Sequence, residues 1–528
     1  MKSRVARVTR WKYFHYLWLA VVLASAMIAV AAELYLTRAG AGASGDSVHY
    51  MQGAANILSG NGFSRLRANG QAIPITGFPP GFSAVLAGLG LTGLPAFAAG
   101  RYLNVILFGL STVLVGWLVF RSTQSGIFAI LGSWLFMYAR NVVQIHSWVM
   151  SEPLFIFLAL LSLLLVDLYL HRGKIALLIV AGLCIGFTIL TRYVGVALIP
   201  TACLPILFFN PQAKLKKWRD AIILGVIGLV PAALWFLHNA QLTGNTSNRQ
   251  LIYHPISKDL IFTLFNELSY WWFAPSLSLP WKLRYVLLGL FFILGVGVFV
   301  YTALRIKHSQ ASVHVSAIPA LFSIFAACYV VVLLLNTSLL DASTDEPSIK
   351  RYAIPLVAIG IIWTISTFSL IIQQGWGKKI TPYLLTLVWL GMVLFYASRS
   401  VPFLLHPGYA FGYTDDRHNW TCEVDLLKAS SPQQVMITND YEEFYFLAGR
   451  PAYALTGKYD QYLGKNVTDF SASIESVQTM LKDGATLAML GDPNAYPNVA
   501  NALIGDMGLV ISTACSHLRY YVVPAGKP

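Results

Sequence analysis

Long apolar segments recur along the first 400 residues and constrain the fold more than any other feature. Such a segment can cross a hydrocarbon core of about 30 Å. The composition agrees, because 56% of the 528 residues are hydrophobic and 11% are charged, whereas about 25% are charged in a typical soluble domain. The sequence predicts a polytopic α-helical membrane protein with about eleven transmembrane helices, near residues 14–36, 102–120, 125–139, 150–170, 175–190, 194–210, 220–238, 285–304, 315–336, 353–372 and 381–398.

The distribution of Lys and Arg predicts the orientation of these helices, because cytoplasmic connections keep positive charge. With the N-terminus inside, the connections on the cytoplasmic side comprise 48 residues, with 16 Lys and Arg and no acid. The connections on the opposite side comprise 140 residues with 12 Lys and Arg. We therefore predict a cytoplasmic N-terminus and these cytoplasmic pieces: 1–13, 121–124, 171–174, 211–219, 305–314 and 373–380.

The C-terminal tail differs from the rest of the chain. An odd number of spans places residues 401–528 outside the cytoplasm, and short β-branched runs alternate there with helical patterns, which predicts a small extracytoplasmic α/β domain. It follows a transmembrane domain of residues 1–400 that includes a long first outer loop, 37–101. Cys422 and Cys515 are the only cysteines of the tail. An oxidising compartment would allow a disulfide between them, but the sequence alone does not give the separation of their Cα atoms.

The first outer loop contains the run Gly-Asp-Ser-Val-His-Tyr-Met-Gln at residues 45–52, followed by apolar residues at helical spacing. We interpret it as an amphipathic helix at the membrane surface with Asp46 near its N-terminus, followed by His49 and Tyr50. Because Asp accepts hydrogen bonds from unpaired backbone N–H groups at such a position, a plain helix N-cap is the alternative role of Asp46.

Four further groups of polar residues are predicted to reach the same outer surface. Each group alone has a structural explanation, since Arg and Tyr anchor helix ends at the lipid headgroups. Together with Asp46, they indicate chemistry in which a phosphate leaves: a carboxylate deprotonates a hydroxyl beside fixed cations that hold the phosphate. The groups are Arg140 with His146 before Ser151-Glu152-Pro153, then Thr191-Arg192-Tyr193, then residues 235–244 with His238 and Asn239, and last Lys350-Arg351-Tyr352 with Pro355.

These residues resemble the GT-C superfamily of glycosyltransferases that use lipid-linked sugars. The similarity is to the branch that contains protein O-mannosyltransferases and the lipid A aminoarabinose transferase. It rests on short motifs whose order and predicted side of the membrane agree over most of the chain. The motifs are Gly45-Asp46-Ser47 with Tyr50, Phe78-Pro79-Pro80-Gly81, Arg101-Tyr102-Leu103-Asn104, Ser151-Glu152-Pro153-Leu154, Leu190-Thr191-Arg192-Tyr193, residues 235–239 with Thr243-Gly244, Arg351-Tyr352 with Pro355, and residues 437–440 and 445–451 of the tail.

The resemblance implies a role for each matching residue. The aspartate of the first outer loop, Asp46, is the expected general base. An acidic residue at the start of a later span, Glu152, is expected to assist the base or to organise the acceptor site. Basic residues are expected to bind the donor phosphate, and the matching positions are Arg192 and Arg351, with Lys350 and His146 as weaker matches. The candidates for the acceptor site or its loop are His49, Tyr50, His238 and Asn239.

Two positions depart from the pattern of this family. Ser47 follows Asp46 where many relatives have a second acid, and His238 precedes Asn239 where Arg is frequent. Both departures bear on metal use and on the type of acceptor. The sequence has no clustered His or carboxylate ligands, so we predict no cofactor and no metal site. A divalent cation that bridges Asp46 and the donor phosphate stays an alternative.

The implied reaction transfers a sugar from a polyprenyl-phosphate donor to a glycan, lipid or protein acceptor at the outer face, with inversion at the anomeric carbon. The expected partners are this donor, the acceptor and membrane lipids. Nucleic acid is not expected, because the positive charge lies in the membrane part: residues 1–400 have 29 Lys and Arg against 10 acids, and residues 401–528 have 8 against 13. We expect an integral protein of a bacterial plasma membrane with an extracytoplasmic active site.

Two other classes of protein stay open at this point. A multi-span transporter or flippase could use the same arginines to pass a phosphorylated lipid or sugar. Transporters, however, place polar residues in mid-helix and often contain two related halves, whereas the polar residues of this sequence lie mainly at the outer ends of the spans and no internal repeat is visible. The third class is a receptor or assembly protein whose outer tail binds a partner.

Overall fold

The computed structural model describes two compact units. The first comprises residues 1–39, 77–82 and 100–407, and the second comprises residues 40–76, 83–99 and 408–528. Most of the predicted cytoplasmic pieces 305–314 and 373–380 lies outside the described residues. The structure describes residues 2–210, 213–247, 251–253, 255–272, 280–308, 316–340, 346–373, 381–405, 412–414, 420–455, 457, 459–460, 465–466 and 469–524.

Most of the described residues are helical, and the described strands form three small sheets. The helices are α1 (Lys2–Leu36), α2 (Gly45–Leu58), α3 (Gly81–Gly90), α4 (Ala96–Thr123), α5 (Gly126–Met137), α6 (Arg140–His146), α7 (Glu152–Arg172), α8 (Ile175–Thr191), α9 (Leu198–Phe209), α10 (Lys214–Thr243), α11 (Lys258–Trp272), α12 (Trp281–His308), α13 (Ile318–Leu339), α14 (Glu346–Gln373), α15 (Thr381–Leu405), α16 (Thr421–Ala429), α17 (Tyr441–Ala448), α18 (Phe470–Lys482) and α19 (Asn498–Asp506). The strands are β1 (Ser64–Leu66), β2 (Ala72–Pro74), β3 (Met436–Thr438), β4 (Tyr453–Ala454), β5 (Tyr459–Asp460), β6 (Lys465–Asn466), β7 (Thr486–Leu490), β8 (Val510–Ala514) and β9 (Leu518–Val522).

The first unit has the helices of a polytopic membrane protein, as predicted. Within the described residues, α5 and α6 form a pair bent by 62° that would make a ninth span if it crosses as one. The segments predicted near 175–190 and 194–210 form apolar helices of 17 residues or fewer, at or below the lower limit of roughly 17 residues for a transmembrane helix. The predicted count of eleven and the cytoplasmic N-terminus stay predictions. In the part of the chain that the structure describes, eight helices are long and apolar enough to cross a membrane: Tyr16–Leu36, Ala96–Thr123, Glu152–Arg172, Lys214–Thr243, Trp281–Tyr301, Ile318–Leu339, Ser348–Leu370 and Pro382–Leu405.

A buried amide orders the chain that leads into α7. Asn104 of α4 is fully buried, and its Nδ2 donates to the carbonyl oxygens of Trp148 at 2.6 Å and Met150 at 3.0 Å. These carbonyls lie in the irregular stretch between α6 and α7, where the backbone N–H of Met150 also donates to the carbonyl oxygen of Trp148 at 2.9 Å. The buried side chain supplies the hydrogen bonds that an apolar interior requires, and it thereby fixes the point at which α7 begins.

The second unit contains a five-stranded sheet in the order β4-β3-β7-β9-β8. Strand β3 pairs in parallel with β4 and β7, while β9 pairs antiparallel with β7 and β8. Side chains alternate between the two faces along β7, so Leu487 and Met489 join one apolar cluster, while Ala488 and Leu490 join the other. A sheet with helix residues in the clusters on both faces has the predicted α/β character. The extracytoplasmic placement stays a prediction.

Residues of the first outer loop pack with the C-terminal residues in this second unit. The hydroxyl of Tyr441, in α17, donates to the carbonyl oxygen of Leu66 at 2.9 Å, and Nε2 of Gln52 donates to the same hydroxyl at 3.1 Å. The predicted transmembrane domain includes the whole loop 37–101. The domain boundary that we predicted at residue 400 stays a prediction.

A disulfide joins Cys422 and Cys515, whose Cα atoms lie 5.9 Å apart. The pairing that the sequence allowed is therefore present. It closes a loop between residues 93 positions apart. A cross-link over such a distance removes many conformations from the unfolded chain, and this loss stabilises the folded state.

Removing this disulfide should destabilise the protein. We expect Cys515→Ser to lower the unfolding free energy by about 2 to 5 kcal/mol, measured as a lower midpoint of thermal unfolding in detergent. Cys203→Ser is the control, because Cys203 is a free thiol of the first unit. Without reductant, the denatured wild-type protein should react with maleimide at three thiols. Five reactive thiols would contradict the disulfide.

Candidate functional site

Glu152 is the first residue of α7, and it lies inside the first unit with 1% of its surface exposed. Pro153 follows it in the first turn, where a missing N–H costs no helical hydrogen bond. A carboxylate at this end of a helix also interacts favourably with the helix dipole. The sequence therefore has local reasons to begin a helix with Glu-Pro here, but these reasons do not account for the burial of the charge.

The buried charge is compensated by two arginines that are far apart in the sequence. Oε1 of Glu152 lies 2.7 Å from Nη1 of Arg192 and 2.9 Å from Nε of Arg351. Nη1 of Arg192 also donates to Oγ of Ser151 at 3.1 Å. One buried carboxylate thus holds two guanidinium groups, and the cluster carries a formal charge of +1. We call Glu152, Arg192 and Arg351 the arginine cluster.

The position of Arg192 follows from how α8 ends. Arg192 is the residue directly after α8, and its backbone N–H donates to the carbonyl oxygen of Thr188 at 3.0 Å. Gly81 approaches this end of α8 so closely that a Cβ on it would lie 2.6 Å from the carbonyl oxygen of Leu190. A side chain at position 81 would therefore displace the helix end. This contact gives the Pro-Pro-Gly motif a structural role beside Arg192.

Arg192 has a second support through its neighbour in the sequence. Nε1 of Trp235, in α10, donates to the hydroxyl of Tyr193 at 3.1 Å. Trp235 also packs against the exposed His238, with ring centroids 5.5 Å apart. Arg351 has a support of its own: the hydroxyl of the buried Tyr329, in α13, donates to the carbonyl oxygen of Tyr352, in α14, at 2.8 Å. This bond anchors the backbone of α14 next to Arg351.

The other predicted phosphate-binding residues have different partners. Nζ of Lys350 lies 3.8 Å from Oε1 of Glu267. His146 is buried between the rings of Phe108 and Phe136, and its Nδ1 lies 2.7 Å from the carbonyl oxygen of Val142. The interactions described for Lys350 and His146 are thus with residues outside the arginine cluster, whereas Arg192 and Arg351, predicted for the same role, meet on one carboxylate.

Asn239 lies near the C-terminal end of α10 and has a structural partner in the turn that follows. It is buried, and its Nδ2 donates to the carbonyl oxygen of Thr246 at 2.9 Å. The hydroxyl of Thr243 donates to the carbonyl oxygen of Asn239 at 2.9 Å. These bonds order the turn that follows α10, which ends at Gly244 in a left-handed conformation. The acceptor role that we predicted for His238 and Asn239 stays a prediction.

Asp46 belongs to the second unit and lies half-buried in the first turn of α2. The N-cap is Ser44, whose backbone N–H donates to Oγ of Ser47 at 3.0 Å. The alternative that Asp46 is the N-cap is therefore wrong, because Asp46 is the second residue of the helix. Ser47, which stands where many relatives of the resembled family have a second acid, is fully buried and takes part in the cap.

A carboxylate from α17 approaches the same helix end. Oε1 of Glu442 lies 3.2 Å from Nε2 of His49. A Cβ on Gly45 would lie 3.4 Å from Cγ of Glu442 and 3.8 Å from the hydroxyl of Tyr413. The hydrogen bond and the charge of His49 hold the pKa of Glu442 below its usual value.

Tyr50, the other candidate on α2, is buried. Its carbonyl oxygen accepts a hydrogen bond from the hydroxyl of Ser83 at 3.0 Å.

Acidic residues surround Tyr413 in the second unit. Burial raises the pKa of its hydroxyl above the usual value, and nearby carboxylates raise it further. They belong to Asp440, Glu442, Glu443 and Asp46. This group was not predicted as a whole, since its residues come from three separate segments. The sequence pointed to two of its members separately, Asp46 in the first loop and Asp440 in the motif at residues 437–440. Among the described residues, no three His, Cys, Asp or Glu side chains are arranged to hold a metal ion.

The comparison with known families begins with a partial match. Residues 70–241 match the model of the family described as dolichyl-phosphate-mannose-protein mannosyltransferase. This range includes Glu152 and Arg192 and excludes Asp46 and Arg351. Together with the fold, it confirms the resemblance to GT-C glycosyltransferases, in the branch of the protein O-mannosyltransferases and the aminoarabinose transferase. A sequence search of curated proteins gave no match.

Solved structures of two GT-C enzymes have a similar fold over nearly the whole chain. One is ArnT from Cupriavidus metallidurans in the apo state, with a TM-score of 0.54, 14% identity and coverage of 96% of this chain and 98% of that one. The same enzyme bound to undecaprenyl phosphate has a TM-score of 0.55 and 13% identity, and the match covers 97% of this chain and 99% of that one. The other is the oligosaccharyltransferase AglB from Archaeoglobus fulgidus, in complex with an inhibitory peptide and a dolichol-phosphate. It has a TM-score of 0.52 and 12% identity, and the match covers 98% of this chain and 75% of that one.

The arginine cluster should contribute measurably to stability. In the absence of donor, we expect Glu152→Gln to lower the unfolding free energy by about 3 to 5 kcal/mol, because two partly buried cations lose the buried counterion that they share. The double variant Glu152→Gln/Arg351→Gln should recover part of this loss, since one unpaired charge is then gone. Thermal unfolding of the two single variants and the double variant gives the coupling. Additive effects would contradict the cluster.

Glu443 should make the protein less stable as pH rises. Burial, and then the charge of Asp440, raise the pKa of Glu443 from 4.5 to about 7. The folded protein therefore binds more protons than the unfolded chain between these values, so stability is full below pH 4.5 and falls as pH rises through 7.

We expect Glu443→Gln to raise the unfolding free energy by about 1 to 2 kcal/mol at pH 8, which appears as a higher midpoint of thermal unfolding. At pH 4 the midpoint should be unchanged. The exposed Glu475→Gln is the control, because its effect should be the same at both values. An equal effect of Glu443→Gln at pH 4 and pH 8 would show that no raised pKa is involved.

Proposed function

We propose that the protein transfers a sugar from a polyprenyl-phosphate donor to an acceptor at the outer face of the membrane. The observation that carries this proposal is the arginine cluster, in which a buried carboxylate holds two guanidinium groups in a chain with a GT-C fold. The structures with a similar fold include one bound to undecaprenyl phosphate and one in complex with a dolichol-phosphate. The active site and the second unit are extracytoplasmic in this proposal, and the membrane is a bacterial plasma membrane.

The arginine cluster has the chemistry to bind the donor phosphate. Guanidinium groups bind phosphate through paired N–H donors in a geometry that lysine lacks. The side chains of Arg192 and Arg351 are 14% and 22% exposed, whereas Glu152 is 1% exposed. A ligand can therefore reach the cations, while their counterion stays behind them. We assign to Glu152 the role of positioning the two arginines, in place of the base-assisting or acceptor role that the sequence suggested.

Asp46 is the general base of the proposed reaction. Its carboxylate takes the proton from the acceptor hydroxyl while the hydroxyl oxygen forms a bond to the anomeric carbon. The bond between that carbon and the phosphate oxygen breaks, and the phosphate leaves with the bonding electron pair. Attack from the face opposite the phosphate inverts the anomeric configuration. Arg192 and Arg351 stabilise the charge that develops on the leaving phosphate, as fixed cations do in other phosphate-leaving reactions.

The helical unit gives this reaction a place for the donor's lipid tail. A polyprenyl chain is apolar and remains in the bilayer, while its phosphate lies at the interface, where arginines at the ends of spans can reach it. The acceptor is a glycan, lipid or protein with a hydroxyl or similar group. His49 and Tyr50 on α2, together with His238 and Asn239, stay candidates for the acceptor side.

Removing the base should abolish transfer but not donor binding. We expect Asp46→Asn to lower the rate of sugar transfer by at least about 100-fold, because general-base catalysis contributes a factor of this order. The affinity for the polyprenyl-phosphate donor should stay within a few-fold of wild type. Asp506→Asn, an exposed change in the second unit, is the control. The measurement uses purified protein, a panel of polyprenyl-phosphate sugars and an acceptor extract, with labelled sugar as the readout.

Two results would count against the proposal. If Asp46→Asn transferred sugar at the wild-type rate, Asp46 would not be the base. If the wild-type protein moved labelled donor across a bilayer without consuming it, the transporter or flippase alternative would be correct.

Loss of one arginine should weaken catalysis more than a surface change does. We expect Arg351→Gln to raise the barrier for transfer by about 2 to 4 kcal/mol, because a charge contact to the leaving phosphate is lost. Arg172→Gln, at the exposed end of α7, removes the same charge away from the cluster and should leave the rate unchanged. Equal rates for Arg351→Gln and wild type would exclude Arg351 from the donor site.

A further inference from the structure

The start of α10 carries a positively charged surface in the first unit, at the end that lies away from the arginine cluster. Four of the six residues 214–219 are Lys or Arg, and we call these six residues the basic segment. Trp235, whose indole donates to Tyr193 beside Arg192, lies about 30 Å further along α10, since each residue adds about 1.5 Å. The basic segment is therefore separate from the candidate site.

The length of α10 places the basic segment at the surface of the membrane. This helix is a candidate span of 30 residues, or about 45 Å, whereas a hydrocarbon core is about 30 Å thick. Residues 221–237 form an uninterrupted run without a charged side chain and fill most of that thickness. When α10 crosses the membrane through this run, the basic segment lies among the lipid headgroups.

One face of α10 is apolar and exposed from its first turn onwards. Leu215 is 85% exposed and Trp218 is 52% exposed. Exposed apolar residues continue this face at helical spacing, at Ile222, Val226 and Leu229. Tryptophan is enriched at membrane–water interfaces. Helical geometry places Lys214 and Lys216 about 100° to either side of Leu215, so two ammonium groups flank the end of the lipid-facing stripe.

The positive charge of the basic segment is not offset by a nearby exposed acid. Asp220 is the only acid among residues 168–258. It is buried, pairs with Arg219 at 2.7 Å and accepts a hydrogen bond from the hydroxyl of Tyr169. Among the described ion pairs, none joins the three lysines of the segment to a carboxylate. Cations in the first turn of a helix also oppose its dipole, so the stability of α10 does not account for these lysines.

We propose that the basic segment binds the headgroups of anionic phospholipids in the leaflet that it faces. Four basic residues directly before a membrane span are attracted to anionic lipid, and Lys214 and Lys216 donate charge-assisted hydrogen bonds to the headgroup phosphates. Leu215 and Trp218 enter the interface between these two lysines. In the predicted orientation this leaflet is the cytoplasmic one. The proposal does not rest on sugar transfer, because it requires only residues at the start of α10.

Photo-cross-linking of the full-length protein in nanodiscs of phosphatidylcholine tests this lipid contact. The probes are trace amounts of phosphatidylglycerol and of phosphatidylcholine, each with a photoreactive group at the same acyl carbon near the headgroup. Peptide mapping then measures the label on residues 213–222. We expect phosphatidylglycerol to label this segment at least about fivefold more than phosphatidylcholine, since the attraction of one lysine corresponds to about this factor. Rising salt should reduce the difference.

Two variants of the flanking lysines separate charge from structure. Lys214→Gln/Lys216→Gln should remove most of the preference for phosphatidylglycerol, whereas Lys214→Arg/Lys216→Arg keeps both charges and should keep the preference. Lys428→Gln/Lys482→Gln is the matched control, because it removes two exposed charges in the second unit and should leave the labelling unchanged. The salt dependence of the wild-type protein keeps the test decisive if a variant does not fold.

Two results would overturn the proposal. Equal labelling by the two lipids, unchanged by salt and in Lys214→Gln/Lys216→Gln, would show that the basic segment does not select anionic headgroups. Loss of the phosphatidylglycerol label in excess inorganic phosphate at constant ionic strength would make free phosphate the ligand in place of lipid. Failure of the proposed enzyme activity is distinct from both, since sugar transfer would then be absent while the selective labelling of the segment stayed intact.

Discussion

The buried carboxylate of Glu152 is the interaction on which the candidate site depends. An ionised group in an apolar interior is costly unless counterions and hydrogen bonds compensate for it, and Glu152 has two guanidinium groups at 2.7 and 2.9 Å. Without the carboxylate, two cations would lie together in the same part of the interior and repel each other. With it, they form a cluster of charge +1 in which each cation stays partly exposed. In the proposed function, an anionic ligand approaches the exposed side of the two cations while Glu152 occupies their buried side.

The surrounding structure serves to hold these three side chains in place. Asn104 orders the chain before Glu152, Gly81 allows the close approach at the end of α8 next to Arg192, and Tyr329 anchors the backbone beside Arg351. Each support comes from a different helix or segment. Such pre-organisation matters for phosphate chemistry, because charges that are already fixed need no rearrangement when the leaving group develops its charge.

The sequence predicted the helical membrane-type fold because apolar runs of about 20 residues are a direct consequence of bilayer thickness. Ile175–Thr191 is as apolar as a span and has 17 residues, which is at the short end of the range for a transmembrane helix, so its place among the predicted spans stays a prediction. The tail was predicted to contain an α/β fold from its alternating pattern, and the disulfide was among the possibilities that two cysteines leave.

The candidate site was predicted as a set of residues but not as a set of contacts. Motifs located Glu152, Arg192 and Arg351, and the structure joins them, but nothing in the local sequence around Lys350 indicated that its partner is Glu267. The contact between His49 and Glu442 likewise joins distant segments, so no spacing rule could have found it. Long-range pairs arise from tertiary packing, whereas helix ends and caps arise from neighbouring residues, as with Ser44 and Ser47 at the start of α2.

The most direct measurement is an experimental structure of the protein with undecaprenyl phosphate bound, determined by cryo-electron microscopy in nanodiscs. We expect phosphorus density within about 4 Å of the guanidinium nitrogens of both Arg192 and Arg351, the distance of a charge-assisted contact, with Glu152 still paired behind them. A phosphate bound elsewhere, with neither arginine in contact, would contradict the role of the arginine cluster.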